Sequence, residues 1–254
     1  MSQIIQVLNV KAVSPARQLG STRQLGFWSA ILTAIVAAAA LGIAITTAPA
    51  RSGPNCMFAT CITYPYTDAA AFVPNDYFWM IPAFLMGPLF VILVACIRHQ
   101  AAPARQGFGQ IALAFAVSSA TALTINYYIQ LSVVQPSLLK GEVQGLALFS
   151  QYNPHGIFIA LEDLGYLMMG AAFLFAASLF GRRERLERLI RLILIGSSIL
   201  ALGSFLLLSL LYGSEIGYNY EVVAILIDWT TLIISGTLLS VFFIRAAVPA
   251  RDIE

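Results

Sequence analysis

The sequence predicts an all-α bundle of six membrane-spanning helices, with both chain termini in the cytoplasm. Of its 254 residues, 59% are hydrophobic and only 10% are charged, against about 25% charged in a soluble domain. The mean hydropathy is +0.82, and the apolar residues cluster in six runs of about 20 residues or more, enough to cross a bilayer. Because lipid offers no partners to backbone polar groups, these runs must be helical.

The predicted spans divide the chain into one transmembrane domain and two short cytoplasmic ends. The spans are Phe27–Thr47, Tyr77–Ile97, Phe108–Val134, Gly156–Phe180, Leu189–Tyr212 and Val222–Ile244. The domain therefore covers residues 27–244, with a cytoplasmic segment 1–26 before it and a cytoplasmic tail 245–254 after it. The outer loops are residues 48–76, 135–155 and 213–221.

The orientation follows from the basic residues, which concentrate on the cytoplasmic side of membrane proteins. Of the 14 lysines and arginines, only Arg51 and Lys140 fall in the outer loops. The others lie on the opposite side, outside the spans or, for Arg191, at the cytoplasmic end of the fifth span. We therefore expect a multi-pass protein of a bacterial or archaeal cytoplasmic membrane.

Two cysteines share the first outer loop. Cys56 and Cys61 are five residues apart, in a segment that the topology places in an oxidising compartment. A disulfide between them is predicted, and two free thiols are the alternative.

A basic cluster lies between the fourth and fifth spans and includes Arg182, Arg183, Arg185 and Arg188. Its first role is to set the topology, and its second is to attract anionic lipid head groups, worth about 1 kcal/mol per charge. Nucleic-acid binding has no support beyond this cluster, which the topology already explains. The expected partners are the lipid bilayer and, on apolar helix faces, a second copy of the chain or another membrane protein.

Carboxylates inside the spans are the main functional signal. Glu162 and Asp163 lie in the fourth span and Asp228 in the sixth, where an ionised group costs at least about 2.5–3.5 kcal/mol. Glu162 and Asp228 are each six residues into their spans, so both lie about 10 Å below the outer boundary. The sequence therefore predicts one acidic site in the outer leaflet.

Neutral polar groups are expected around these acids. Asn126 and Tyr128 of the third span reach a similar depth. Tyr166 shares a helical face with Glu162 at i, i+4, and His155 shares one at i, i+7. Asp163 is rotated by about 100° from Glu162 and needs a different partner.

The fourth and sixth spans also match in register. Asn153, Glu162 and Gly170 have the same relative spacing, 9 and 8 residues, as Asn219, Asp228 and Gly236. The match predicts a repeated two-helix hairpin, of which the first two spans form an acid-free copy.

Within the spans no lysine or arginine neutralises the acids, so each must hold a proton, bind a cation or face water. All three states are typical of a transporter or channel with a proton or cation pathway. The alternative is a sensor, ligand-binding or assembly subunit in which protonated acids only lock the bundle. A membrane-embedded enzyme is the least supported class, because the sequence has no metal-ligand spacing, nucleophile elbow or phosphate loop.

The sequence indicates no particular cofactor or metal site. A covalently bound retinal is excluded, because Lys11 and Lys140 lie outside the spans and no intramembrane lysine can form the Schiff base.

Overall fold

The computed structural model describes residues 15–53, 56 and 61–247, and the rest of the predicted cytoplasmic ends lies outside this part. Seven α-helices and no β-strand occur in the described ranges. The helices are α1 (Pro15–Thr46), α2 (Met80–Gln100), α3 (Gln106–Ile129), α4 (Gln135–Leu139), α5 (Ile157–Ala177), α6 (Arg185–Tyr212) and α7 (Gly217–Ala247). A π-helical turn, Gln130–Val134, joins α3 to α4.

The predicted fold class is confirmed, because six helical segments in the described ranges are long and apolar enough to cross a membrane. Several boundaries differ from the predicted ones. Helix α1 begins at Pro15, inside the predicted cytoplasmic segment 1–26. The third segment runs over Pro103–Leu139, since the π turn and α4 continue the helix past the apolar run. Helix α7 begins at Gly217, so the predicted loop 213–221 is reduced to a 3-10 turn, Gly213–Glu215.

The long helices form a closed ring in the order α1, α2, α3, α5, α6, α7. Helices α2, α5 and α7 are its inner members. In the most apolar segment of each, 50%, 50% and 44% of the residues are buried inside the bundle. The corresponding shares for α1, α3 and α6 are 28%, 33% and 22%. The ring thus consists of three hairpins, each with one outer and one inner helix.

Each inner helix approaches the next hairpin at a glycine. The pairs are Gly87 with Ala120 of α3, Gly170 with Ala201 of α6, and Gly236 with Ala30 of α1. A Cβ atom added to these glycines would lie 3.3 Å from the Ala120 Cα, 3.1 Å from the Ala201 Cβ and 2.7 Å from the Ala30 carbonyl oxygen. Small residues therefore allow the three junctions to close tightly.

The residues eight positions before these glycines are Trp79, Glu162 and Asp228. All three are buried, with 3%, 0% and 0% of their surfaces exposed. This is the arrangement that a repeated hairpin predicts, with Trp79 in the acid-free copy. Trp79 directly precedes α2, whereas Glu162 and Asp228 lie within α5 and α7. Each hairpin therefore brings one large or acidic side chain to a similar level of the bundle.

The described parts of the connections 47–79, 140–156 and 213–216 form one end of the bundle, here named the capped end. The predicted disulfide is confirmed there, between Cys56 and Cys61. Asp76 ties the cap together: its Oδ2 accepts hydrogen bonds from the Ala50 amide at 3.1 Å and from the Tyr152 phenol at 3.0 Å. Burial, together with Tyr77 and Asp76, raises the pKa of Tyr152, so this phenol keeps its proton and donates. The connections 101–105 and 178–184 form the opposite end, named the arginine end.

Candidate functional site

Helix α5 carries the central acid of the site. The helix begins at Ile157 after Gly156, whose backbone is extended, and its apolar sequence crosses the core between α3 and α7. Glu162 and Tyr166 lie one turn apart on its buried face, with 0% and 1% of their surfaces exposed. The predicted sharing of one face by these two residues is confirmed.

A chain of hydrogen bonds ends on Glu162. The Tyr127 phenol donates to Glu162 Oε1 at 2.6 Å, and the Tyr127 and Tyr166 phenol oxygens are 2.7 Å apart. The Trp229 indole N–H donates to the Tyr166 oxygen at 3.0 Å. Because the single hydrogen of Tyr127 is used on Glu162, Tyr166 must be the donor to Tyr127. All three donors therefore point along the chain toward one carboxylate oxygen.

Aromatic rings surround this chain on the side of the capped end. The ring centroid of Trp79 lies 5.6 Å from that of Tyr127, 6.0 Å from Trp229 and 6.4 Å from Phe158. All four side chains are almost completely buried. The packing keeps water away from the chain and strengthens its hydrogen bonds, because the local dielectric constant is low.

Glu221 is a functional candidate that the sequence analysis missed. It lies at the start of α7, is 6% exposed, and is within electrostatic range of both Glu162 and Asp163. Its spacing of seven residues from Asp228 puts both acids on one helical face, and this signal was available. It was overlooked because the apolar run, and hence the predicted span, began only at Val222.

Arg51 brings a cation to this group of acids. Its Nη1 lies 3.0 Å from Glu221 Oε2, and its guanidinium stacks over the Tyr218 ring at 4.3 Å. Arg51 belongs to the capped end and not to a span, so the residues of the spans alone did not reveal this cation. The acids Glu162, Asp163 and Asp228 have no ion-pair partner among the residues that the structure describes.

Asp163 faces a different environment from Glu162, as its position on the helix predicted. It lies within electrostatic range of Glu221 and of the Tyr220 phenol. Its Oδ1 is buried and has no hydrogen-bond partner in the described part of the chain. Asp163 therefore belongs to the same acidic group. Its interaction with that group is through Tyr220 and Glu221, at the start of α7.

Asp228 is fully buried, and neither of its carboxylate oxygens has a hydrogen-bond partner in the described ranges. The Tyr166 phenol lies within electrostatic range of both Glu162 and Asp228. The acids that lie within electrostatic range of Glu162 are Glu221 and Asp163. Glu162 and Asp228 were expected to form one acidic site, and here the Tyr166 phenol is the group that lies within electrostatic range of both.

The remaining predicted residues divide into structural and peripheral ones. Asn126 is buried and its Nδ2 donates to the Phe158 carbonyl at 3.0 Å, which holds α3 against α5. Tyr128 is 60% exposed and its ring lies against Phe84, so the structure does not bring it to the acids.

His155 does not meet Glu162, and the expected i, i+7 contact was wrong. The α5 helix begins at Ile157, so His155 precedes it and follows no helical periodicity. Its Nε2 lies 3.4 Å from Glu215 Oε2, and both side chains are more than half exposed.

A cavity of about 260 Å³ opens beside the acids, between the capped-end halves of α1 and α7. Arg51, Glu221 and Gln151 line its polar end, and Trp79 and Trp229 lie on the side of the core. The rest of its wall is apolar and consists of Leu41, Ala44, Ile45, Ala48, Pro49, Ala50, Val222, Ile225 and Leu226. Glu221 thus connects the cavity to Glu162.

In the described ranges, no group of three or more His, Cys, Asp or Glu side chains is arranged to hold a metal ion. The acids instead lie among phenols and an indole, which can donate hydrogen bonds. Chemically, the site can hold protons on buried carboxyls and pass them between neighbouring ones. No family model, curated protein or solved structure matches this chain.

Proposed function

We propose that the protein is an integral membrane transporter that takes up and releases a proton at its buried acidic site. The observation that carries the proposal is the position of Glu162. This acid is fully buried, accepts the hydrogen bond of Tyr127 on one oxygen, and lies beside Glu221. Its other oxygen, Oε2, has no hydrogen-bond partner in the described part of the chain and is free to take a proton.

A proton suits this site better than a metal cation does. A hard cation such as Ca²⁺ needs six to eight oxygen ligands. The Tyr127 hydroxyl points its hydrogen, not its lone pairs, at Glu162, and this polarity opposes a cation. Asp228 is fully buried and has no hydrogen-bond partner among the described residues, so it is best accommodated as the neutral acid, because an unpaired charge in hydrocarbon is costly.

Glu221 provides the entry. It lines the cavity and pairs with Arg51, and it is also within electrostatic range of Glu162. A proton that reaches the cavity can bind Glu221 when the ion pair with Arg51 loosens. It can then pass to Glu162, and the Tyr127–Tyr166 chain links Glu162 to the surroundings of Asp228.

The capped end is placed outside the cytoplasm in this proposal. The basic residues support this orientation, since they concentrate at the arginine end. The Cys56–Cys61 disulfide supports it too, because disulfides persist in oxidising compartments. Glu221 would then take its proton from the outer side.

Proton flux in proteoliposomes tests the proposal. A pH-sensitive dye inside the vesicles would report flux across an imposed pH gradient, with the Glu162→Gln/Asp228→Asn double variant beside the unmodified protein. Glu142→Gln is the matched control, because Glu142 is an exposed acid of the capped end. We expect flux in the unmodified protein and the control, and loss of flux in the double variant. Equal flux in all three would overturn the proposal.

A ligand-binding or assembly subunit without transport is the second candidate. It is favoured by the same hydrogen-bond chain, which joins α3, α5 and α7 through Tyr127, Tyr166 and Trp229 and can serve only to lock them. In that case Glu162→Gln would lower the melting temperature, and no vesicle preparation would show flux that depends on this residue.

A further inference from the structure

The cavity between α1 and α7 opens toward the lipid and has a polar inner end. Ile45, Val222 and Leu226 line it and are 67%, 38% and 47% exposed, so its mouth lies on the outer surface of the bundle. Arg51, Gln151 and Glu221 are at the end nearest the cap. A volume of about 260 Å³ is smaller than the pockets that enclose whole drug-sized ligands. It has room for a head group and the first part of a chain whose remainder lies in the bilayer.

Two donors at this cavity are available to a ligand. The Trp79 indole lines it, is 3% exposed, and its N–H has no hydrogen-bond partner in the described part of the chain. An unpaired buried donor of this kind is costly unless something accepts its hydrogen bond. The Arg51 guanidinium is the second donor: only its Nη1 is engaged by Glu221, and 27% of its side chain is exposed.

We propose that this cavity binds a single-chain carboxylate amphiphile, such as a long-chain fatty acid. Its carboxylate would replace Glu221 on Arg51 and accept a hydrogen bond from the Trp79 indole. Its chain would leave between α1 and α7 along Ile45 and Leu226. The inference goes beyond proton transport, and it does not depend on it.

A monocarboxylate fits the charges better than a phosphate group does. The cavity offers one guanidinium, which matches a carboxylate with two parallel hydrogen bonds. Glu221 lies in the same wall, and Glu162 and Asp163 lie behind it. A second negative charge on the ligand would be repelled by these acids without finding a second cation at the cavity.

Quenching of tryptophan fluorescence by a brominated fatty acid tests the proposal. Trp79 and Trp229 line the cavity, whereas Trp28 is 53% exposed on α1. A Trp28→Phe parent therefore restricts the signal to the two cavity residues. The comparison probe is the alcohol with the same brominated chain, at a pH at which the acid is ionised. We expect the acid to reach half-maximal quenching at a mole fraction about tenfold lower than the alcohol, because a charge-assisted hydrogen bond is gained.

Four variants in this parent separate the carboxylate site from general lipid contact. Arg51→Gln should abolish the advantage of the acid over the alcohol, and Ala44→Phe should weaken quenching by both probes by filling the cavity. Lys140→Gln is the matched control, since it removes an exposed cation from the same end of the bundle, and it should change nothing. Glu221→Gln should lower the mole fraction of acid required, because it frees Arg51 from its competitor.

The opposite results would overturn the proposal. Equal quenching by acid and alcohol in the parent would show that only the chain partitions into the cavity. Weakening of acid binding by Glu221→Gln as strong as that by Arg51→Gln would show that the ion pair is structural. Since no flux is measured, failure here would leave the proposed proton transport standing, and failure of transport would leave this site standing.

Discussion

The Tyr127 phenol donates a 2.6 Å hydrogen bond to Oε1 of Glu162, joining α3 to the central acid of the site on α5. The bond is the last of three that run from Trp229 through Tyr166 to Glu162. Because each hydroxyl in the chain is committed as a donor in one direction, a change in the protonation of Glu162 can reverse or break the chain. The charge of one buried acid is thereby linked to the packing of α3, α5 and α7.

Removal of the Tyr127 hydroxyl should destabilise the protein. Tyr127→Phe takes away the donor to Glu162 and the acceptor of Tyr166, and both would be left buried. We expect a loss of about 1–3 kcal/mol in the free energy of unfolding, measured as a lower melting temperature in detergent. Tyr128→Phe is the matched control, because Tyr128 is 60% exposed, and it should have no effect. Equal melting temperatures for both variants would contradict the role given to the chain.

Replacement of Asp228 should not destabilise the protein, in contrast to Tyr127→Phe. Asp228→Asn loses no hydrogen bond, because neither carboxylate oxygen has a partner in the described ranges, and it removes an ionisable group from the core. We expect a melting temperature that is unchanged or higher, together with reduced proton flux. A variant that is both less stable and fully active would show that Asp228 is structural.

The glycine junctions between hairpins should tolerate no side chain. Gly236→Ala would place a Cβ atom 2.7 Å from the Ala30 carbonyl oxygen, and overpacking of this kind costs about 1–3 kcal/mol. The control is Gly203→Ala on α6, where nothing lies within 4 Å of the added atom. That variant should be neutral or more stable by up to about 1 kcal/mol, because alanine favours helix. Thermal unfolding of both variants checks the packing of the ring.

The orientation of the chain can be tested by labelling introduced cysteines in intact cells. Cys96 is buried, and Cys56 and Cys61 form the disulfide, so the native background is expected to be low. Glu142→Cys at the capped end should react with a membrane-impermeant maleimide, and Arg183→Cys at the arginine end should react only after permeabilisation. The reverse pattern would place the capped end, and with it Glu221, in the cytoplasm.

The six spans, the disulfide and the shared face of Glu162 and Tyr166 could be predicted because each depends on local sequence alone. The sequence did not show which of Tyr127 and Tyr128 reaches the acids. The two are adjacent and about 100° apart on a helix, and hydropathy alone does not show which tyrosine faces inward. The pairing of Arg51 with Glu221 joins residues 170 positions apart, and only tertiary structure brings them together.

Helix boundaries account for the other differences. Hydropathy placed the start of the sixth span at Val222, whereas the helix begins at Gly217 and so includes Glu221. Similarly, α5 begins after His155 and removes that residue from the face of Glu162. Hydropathy assigns polar residues next to a span to a loop. Such residues can nevertheless be helical where the connections of the capped end bury them.

Infrared difference spectroscopy across a pH step would show whether Glu162 gains and loses a proton. The sample is the purified protein in lipid, and the signal is the carbonyl band of a protonated carboxyl group. We expect a band that responds to pH in the unmodified protein, persists in the Glu142→Gln control and disappears in Glu162→Gln. The same pH-dependent band in Glu162→Gln as in the unmodified protein would show that Glu162 is not the group that exchanges the proton.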